Sequence, residues 1–275
     1  MPTPFVPMKQ LLSKARWAVG GWIAACVLSG CATPGVVAPQ AAIGPAAEAE
    51  VHRLATTRLQ LAALHFEEGR TDVALGEVAQ ALQAHPRYVD AYNLQGWIHL
   101  SLQDYKAANE SFVQALSLRP GDADTLYNLG WLQCVQKQFA VADRNLDAAL
   151  AAPRSSGQSL SRIWLAKGVC LRQAGQLDAA MQALEKAHEI EPGNPAVAYN
   201  FADMLHAQGH SERARFYVRR LNNGTWASAA SLWLGVKVER SLGDRIAMRQ
   251  LADQLHKRFP GSKEWQWFER GAFDD

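Results

Sequence analysis

The chain has 275 residues, 48% of them hydrophobic, and 28 Lys and Arg against 26 Asp and Glu give a formal charge of +2. That length can bury a sizeable core, or build an elongated array, without disulfide support. So even a charge balance gives no basic nucleic-acid footprint, and four cysteines are too few for a disulfide framework.

The first predicted element is an export signal. Lys9, Lys14 and Arg16 form a basic segment, and no acidic residue precedes Cys31. A mostly apolar run follows from Trp17 to Val27, about the length of a signal-peptide core and too short to span a bilayer comfortably. It closes on Leu28-Ser29-Gly30-Cys31, which resembles the lipobox of bacterial lipoproteins. That resemblance implies cleavage before Cys31, a diacylglycerylated thiol and an acylated new amine. Cys26 lacks the small residues just before it and reads as a small hydrophobe. Met1 and Met8 both remain possible starts. Loss of residues 1–30 takes the formal charge of the remainder, 31–275, to −1. Residues 31–50, rich in Ala, Pro, Gly and Val, read as a flexible tether carrying the lipidated Cys31.

The repeat domain is expected over 51–275. Pro86 and Pro120 are 34 apart, as are Gly96 and Gly130, and Ala74, Ala108 and Ala142 keep the same spacing. After an insertion of four the pattern resumes at Gly168, Ala180, Ala187 and Pro192. A period of 34 with Gly, Ala and Pro at fixed offsets resembles the tetratricopeptide repeat family. The fold expected is therefore an all-α, tetratricopeptide-repeat superhelix of about six helical hairpins. The repeats fall at about 55–88, 89–122, 123–156, 161–194, 195–228 and 229–262. Gly96, Gly130 and Gly168 let paired helices approach, with Ala108, Ala142 and Ala180 facing them. Gly69, Gly175, Gly209 and Gly243 fall where a left-handed residue ends the first helix. Pro86, Pro120, Pro192 and Pro260 stop the second helix. Repeats five and six depart from the pattern, with Ala202 and Val236 in place of Gly and Trp226 in place of Pro. The insertion Arg154-Ser155-Ser156-Gly157-Gln158 reads as a longer loop.

By analogy with the family, positions two, five, nine and twelve of each repeat line a concave face. The partner-binding candidates among them are Asn93, Trp97, Tyr127, Trp131, Arg162, Tyr199 and Trp233. Large aromatics with polar neighbours suit an extended or amphipathic protein segment. The same aromatics can instead pack against a neighbouring repeat, and both readings stay open here. Cys134 and Cys170 sit in predicted helix interiors and read as buried small hydrophobes rather than a bridge. His206 and His210 lack a third metal ligand, and Asn223-Gly224-Thr225 reads as a turn. No phosphate loop, nucleophile elbow or paired-carboxylate constellation stands out. The expectation is a non-enzyme with no cofactor, no metal, no nucleic acid and no small-molecule substrate.

One stretch is more specific than the repeats. Glu239-Arg240-Ser241-Leu242-Gly243-Asp244 leads to Lys257-Arg258-Phe259-Pro260-Gly261-Ser262, with almost nothing after it. Together with the lipobox, tether and six repeats, this ending resembles the PilW/PilF family of type IV pilus biogenesis and stability lipoproteins. The resemblance implies a pilotin facing the periplasm from the outer membrane, whose partner is the pilus secretin. Ala32, where Asp would signal inner-membrane retention, agrees with outer-membrane sorting. The rival expectation is a periplasmic repeat lipoprotein scaffolding peptidoglycan enzymes or outer-membrane protein assembly.

Overall fold

The computed structural model describes residues 44–153 and 160–273; Cys31, the signal segment, the 31–43 part of the tether and the 154–159 loop lie outside them. The described residues form thirteen α-helices and no strand. These are α1 (Pro45–Glu67), α2 (Thr71–Ala84), α3 (Val89–Ser101), α4 (Tyr105–Leu118), α5 (Ala123–Val135) and α6 (Phe139–Ala151). Then come α7 (Leu160–Gln173), α8 (Leu177–Ile190), α9 (Pro195–Ala207), α10 (Ser211–Asn222), α11 (Ala229–Ser241), α12 (Arg245–Arg258) and α13 (Lys263–Arg270). Within the units, α1 pairs with α2, α5 with α6, α7 with α8, α9 with α10 and α11 with α12, as the helical hairpins of the expected fold. α1 starts at Pro45, so the last residues assigned to the tether are helical; Pro at the first helical position has no amide hydrogen to leave unsatisfied.

The chain forms two compact units, Met1–Ile98 and His99–Asp275. In the first, Ala55, Ala62, Ala74, Val78, Ala81, Tyr88, Leu94 and Ile98 make a small-residue core between α1, α2 and the start of α3. In the second, each helix from α4 to α12 packs on the next. The first helices also touch across repeats, α5 on α7, α7 on α9 and α9 on α11. No hairpin covers both its own faces, so neighbours supply the burial.

Local chemistry sets the helix ends. Asp104, Asp122, Asn194, Asp244 and Ser262 each accept a first-turn amide hydrogen bond, and Ser228 with Ser231 closes a capping box. Pro86, Pro120, Pro192 and Pro260 lie two residues beyond the ends of α2, α4, α8 and α12. The left-handed turn residues recur in each hairpin: Gly69, Gly175, Gly209 and Gly243, and also two non-glycines, Gln103 and Lys137, both at φ 61°.

The close approach inside each hairpin differs from the expectation in one respect. A Cβ built on Gly130 would stand 2.8 Å from Leu146 Cγ, and one on Gly168 2.7 Å from Leu184 Cγ. Ala142 and Ala180 contribute only carbonyl oxygens, at 3.2 and 3.3 Å. The facing side chain is thus a leucine one turn further along. The same relation explains the irregular repeats. Gly130 and Gly168 lie seven residues before the left-handed turn residue, and Leu146 and Leu184 nine after it. The equivalent pairs are Ala202 with Val218 and Val236 with Ala252, each pair buried in one cluster. As the first partner grows the second shrinks, which conserves the volume between the helices.

Two further findings correct the sequence reading. Cys134 on α5 and Cys170 on α7 form a disulfide, with Cα atoms 5.6 Å apart. The contact between first helices brings them together, which helix-interior positions alone did not reveal. The array also does not stop at its sixth hairpin. Ser262 caps α13, and Trp265, Trp267, Phe268 and Phe273 pack with Trp233, Val236 and Leu255 over the end of the stack. Apolar faces of α11 and α12 would otherwise end in water.

Candidate partner-binding surface

The inward positions of the second unit come from α5, α7, α9 and α11. Arg162 on α7 donates to the Asp124 carboxylate on α5 at 2.8 Å, and its guanidinium lies 4.6 Å over the Tyr127 ring. A cation over an aromatic face, held at its edge by a carboxylate, fixes both side chains. Tyr127 is buried, and burial pushes its phenol pKa up, with Arg162 opposing. Trp131, one turn beyond, is also buried. Position twelve of this repeat is Cys134, which is fully enclosed in the disulfide.

The next charged pair joins Arg172 of α7 to Asp203 of α9. Tyr199 lies one turn before Asp203, and burial raises its phenol strongly; the Asp203 carboxylate adds to this and Arg172 opposes it. The Glu264 carboxylate of α13 adds a smaller upward push. His206 bonds Ser211 through Nδ1 at 3.0 Å. Burial, then the Lys237 charge, lowers its pKa. A ladder of carboxylates and guanidinium groups thus alternates with aromatic rings along the first helices. Such groups can exchange their mutual bonds for those of an extended peptide.

Trp233 is covered. It is 3% exposed, stacks on Phe273 at 5.3 Å and lies 6.2 Å from Trp267. Its Nε1 has no hydrogen-bond partner among the described residues. Arg240, also inward on α11, lies 4.0 Å over Phe273. The sequence reading missed this C-terminal cover. A Ser cap followed by Trp265, Trp267 and Phe268 was its available signal. Asn93 and Trp97 belong to the first unit, where Asn93 is buried and Trp97 half-buried. Of the candidates, then, Tyr127 and Arg162 are joined directly, Tyr199 sits beside the next ion pair, and Trp233 lies under α13.

The distinctive C-terminal motif has a structural meaning. Glu239 is 2% exposed and receives Arg215 and Arg219 of α10, at 2.9 Å from Arg215 Nε and 3.0 Å from Arg219 Nε. Asp244 takes Arg215 Nη2 at 3.3 Å while capping α12 through the Ala247 amide. Gly243 provides the left-handed turn at φ 75° and Leu242 packs into the core. Further on, Arg258 donates to the Ala227 carbonyl at 3.3 Å, Phe259 joins the aromatic cluster and Ser262 starts α13. The motif therefore locks the last two repeats to each other and to their cap.

Family profiles described as tetratricopeptide repeat match residues 59–123 and 127–195, and a second such profile matches 171–224. The chain belongs to the tetratricopeptide-repeat family. Within it, the chain is similar to two type IV pilus proteins, PilF and PilW. The type IV pilus assembly protein PilF of Pseudomonas aeruginosa is 26% identical over 211 residues, covering 77% of this chain and 83% of PilF. The crystal structure of PilW, described as a type IV pilus biogenesis factor, matches with TM-score 0.69 at 27% identity, over 78% of this chain and 97% of PilW. A solved structure of Pseudomonas aeruginosa PilF gives 0.67 at 25% identity, over 81% of this chain and 99% of that one. The resemblance read from the C-terminal motif therefore holds in sequence and in fold. YrrB, a tetratricopeptide-repeat protein with an unusual peptide-binding site, shares the fold at 16% identity and TM-score 0.52, covering 70% of this chain and 97% of YrrB.

Proposed function

We propose that this chain acts in type IV pilus biogenesis as a pilotin. In this reading it is an outer-membrane lipoprotein, anchored through Cys31, that helps the pilus secretin reach the membrane and form its multimeric ring. The likeness to PilF and PilW, nearly the full length of both, carries the reading. The alternating charged and aromatic side chains of the first helices support a protein partner rather than a small molecule. Lipid chains contribute about 0.8 kcal/mol per buried methylene, so a multiply acylated Cys31 would leave the membrane very slowly.

The division of labour follows from chemistry. The anchor supplies the address, the ladder from Asp124 to Lys237 holds an extended secretin segment, and neither role needs a catalytic group. The test is deletion of the gene, scored by the multimeric state of the secretin and by twitching. Monomeric secretin, restored to multimer by the wild-type chain but not by Cys31→Ser, is the expected outcome. Normal multimers and piliation without the protein would overturn the reading. Cell-wall hydrolases or barrel-assembly components, rather than secretin, captured with the intact protein would favour the general scaffold instead.

A further inference from the structure

Trp233, Lys237 and Arg240, the inward positions of the last repeat, share one face of α11 by their spacing. The chain's own end is seated there, on Trp233 and Arg240. After α13 the backbone reverses at Gly271, whose φ of 66° is left-handed. The reversal lays the Phe273 ring on Trp233, 5.3 Å between centres, and the Arg240 guanidinium lies 4.0 Å over the same ring. A guanidinium over an aromatic ring is also what Arg162 and Tyr127 form. Phe273 thus occupies repeat six as the aromatic side chain of a bound segment would.

This occupant is held loosely. The amides of Gly271, Ala272 and Phe273 bond within their own turn, to the carbonyls of Phe268, Trp267 and Gly271. Among the described residues no backbone bond ties them to α11, so side-chain contacts hold the segment in place. Beneath it the Trp233 indole is 3% exposed, and its Nε1 donor has no partner among the described residues. An unpaired buried donor costs free energy that an incoming carbonyl or carboxylate oxygen recovers. Charge selects what else an incoming segment carries. Lys237 and Arg240 are in no ion pair among the described residues. Of the carboxylates on neighbouring elements, Asp203 is held by Arg172, Glu239 by Arg215 and Arg219, and Glu264 is buried. In sequence, Phe273 itself is followed by Asp274 and Asp275.

We propose that Gly271–Phe273 is a built-in ligand of the last repeat, displaced by a partner's protein segment that carries an aromatic residue followed by carboxylates. The partner's ring takes the place of Phe273 on Trp233, an oxygen accepts from Trp233 Nε1, and the carboxylates meet Lys237 and Arg240. A ligand on the same chain competes at an effective concentration on the order of millimolar, so weak or scarce segments are kept out. The inference rests on a protein partner for the inner surface and not on the secretin, so the deletion test above and the test below fail separately.

The experiment uses the full chain in mild detergent. Its probe is a fluorescein-labelled peptide of residues 270–275, Arg-Gly-Ala-Phe-Asp-Asp, read by fluorescence anisotropy. Phe273→Ala removes the resident ring and should bind the peptide about tenfold or more tightly than the wild type does. Gly271→Val strains the left-handed turn while leaving the slot intact, and should also raise affinity. Thermal unfolding checks that both variants are folded, and Gly271→Val decides alone if Phe273→Ala is not. Adding Arg240→Gln or Lys237→Gln to the opened chain should weaken binding by about threefold or more. A peptide with Ala in place of Phe should bind neither chain. Equal affinity of the wild type and the folded opened variants overturns the proposal, as does no binding to any of them. So does binding that ignores both cation substitutions. So does an opened chain that gains affinity for phosphatidylethanolamine–phosphatidylglycerol vesicles and not for the peptide, which would assign the slot to lipid.

Discussion

Gly130 has no room for a side chain because Leu146 already fills it: the first carbon of any substituent would sit 2.8 Å from Leu146 Cγ. Along the second unit this pair becomes Gly168 with Leu184, Ala202 with Val218 and Val236 with Ala252. The hairpin fixes a volume between its helices, so a larger first partner goes with a smaller second one in this chain. Gly130→Leu should therefore destabilise the domain by about 1–3 kcal/mol through overpacking. Gly130→Ala with Leu146→Val, the combination found at Ala202 and Val218, should cost far less because it keeps the volume between the helices. Thermal unfolding of the set is the check, and an unchanged Gly130→Leu transition would disprove the pairing.

The turn at Lys137 points to a stabilising change. Lys137 holds φ at 61°, a conformation that costs a side-chain-bearing residue about 1 kcal/mol. Lys137→Gly should raise stability by up to about that amount, less the added freedom of glycine in the unfolded chain. Gly175→Ala should lower it by about 1 kcal/mol. An added Cβ at Gly175 meets nothing within 4 Å, so that loss would report backbone conformation and not a clash. Denaturant midpoints of both variants test the pair.

Glu239 is the buried hinge of the last two repeats. Its hydrogen bond raises the pKa of Arg215, reinforcing the cation that balances it. Glu239→Gln removes the charge but keeps the shape, and leaves two guanidinium groups facing a neutral amide. Breaking a fully buried pair costs about 3–5 kcal/mol; with Arg219 half open to water, about 2 kcal/mol is expected here. Arg219→Gln should cost less than 1 kcal/mol, roughly. Urea denaturation compares the two, and equal effects would contradict the buried role of Glu239.

The disulfide is open to a chemical test. Peptides containing Cys134 and Cys170 should appear linked in a non-reducing digest and separate on reduction. The bridge closes a loop between residues 36 apart, so Cys134→Ser with Cys170→Ser should lose about 2–4 kcal/mol. Finding both thiols alkylated in the untreated protein would count against it.

Stability should also fall in mild acid. Burial holds His188 below its ordinary value of 6.5, with the Arg220 charge adding to the effect. Burial does the same at His206, with Lys237 adding. The fold favours the neutral form of both, so the unfolded chain binds more protons just below that value. Their contribution is present above pH 6.5 and is lost as pH falls through the lowered folded values. Denaturant midpoints at about pH 7.5 and about pH 5.5 should differ, and His188→Gln with His206→Gln should narrow the gap. An undiminished gap would place the pH dependence elsewhere.

The legible part of this molecule is the part written locally. The 34-residue period, the left-handed glycines and the prolines beyond each second helix act within a few residues of themselves, so composition and spacing report them directly. Gln103 and Lys137 escaped because a turn forced by its two helices can hold a residue that does not favour it. Among the candidate site residues, the placement of Tyr127, Arg162 and Tyr199 on the first helices of their repeats could be read from repeat position. That Arg162 spans to Asp124 across two helices could not.

The sequence by itself determined the all-α repeat architecture and its likeness to PilF and PilW. Helix, cap and turn preferences repeat in register, and the Glu239–Asp244 stretch is a continuous motif. Only the tertiary structure decided that Leu146 rather than Ala142 fills the space at Gly130, that Cys134 meets Cys170, and that Trp233 lies beneath Phe273. Each depends on which helix faces break contact with water together, and that is a property of stacked neighbours, not of any single segment.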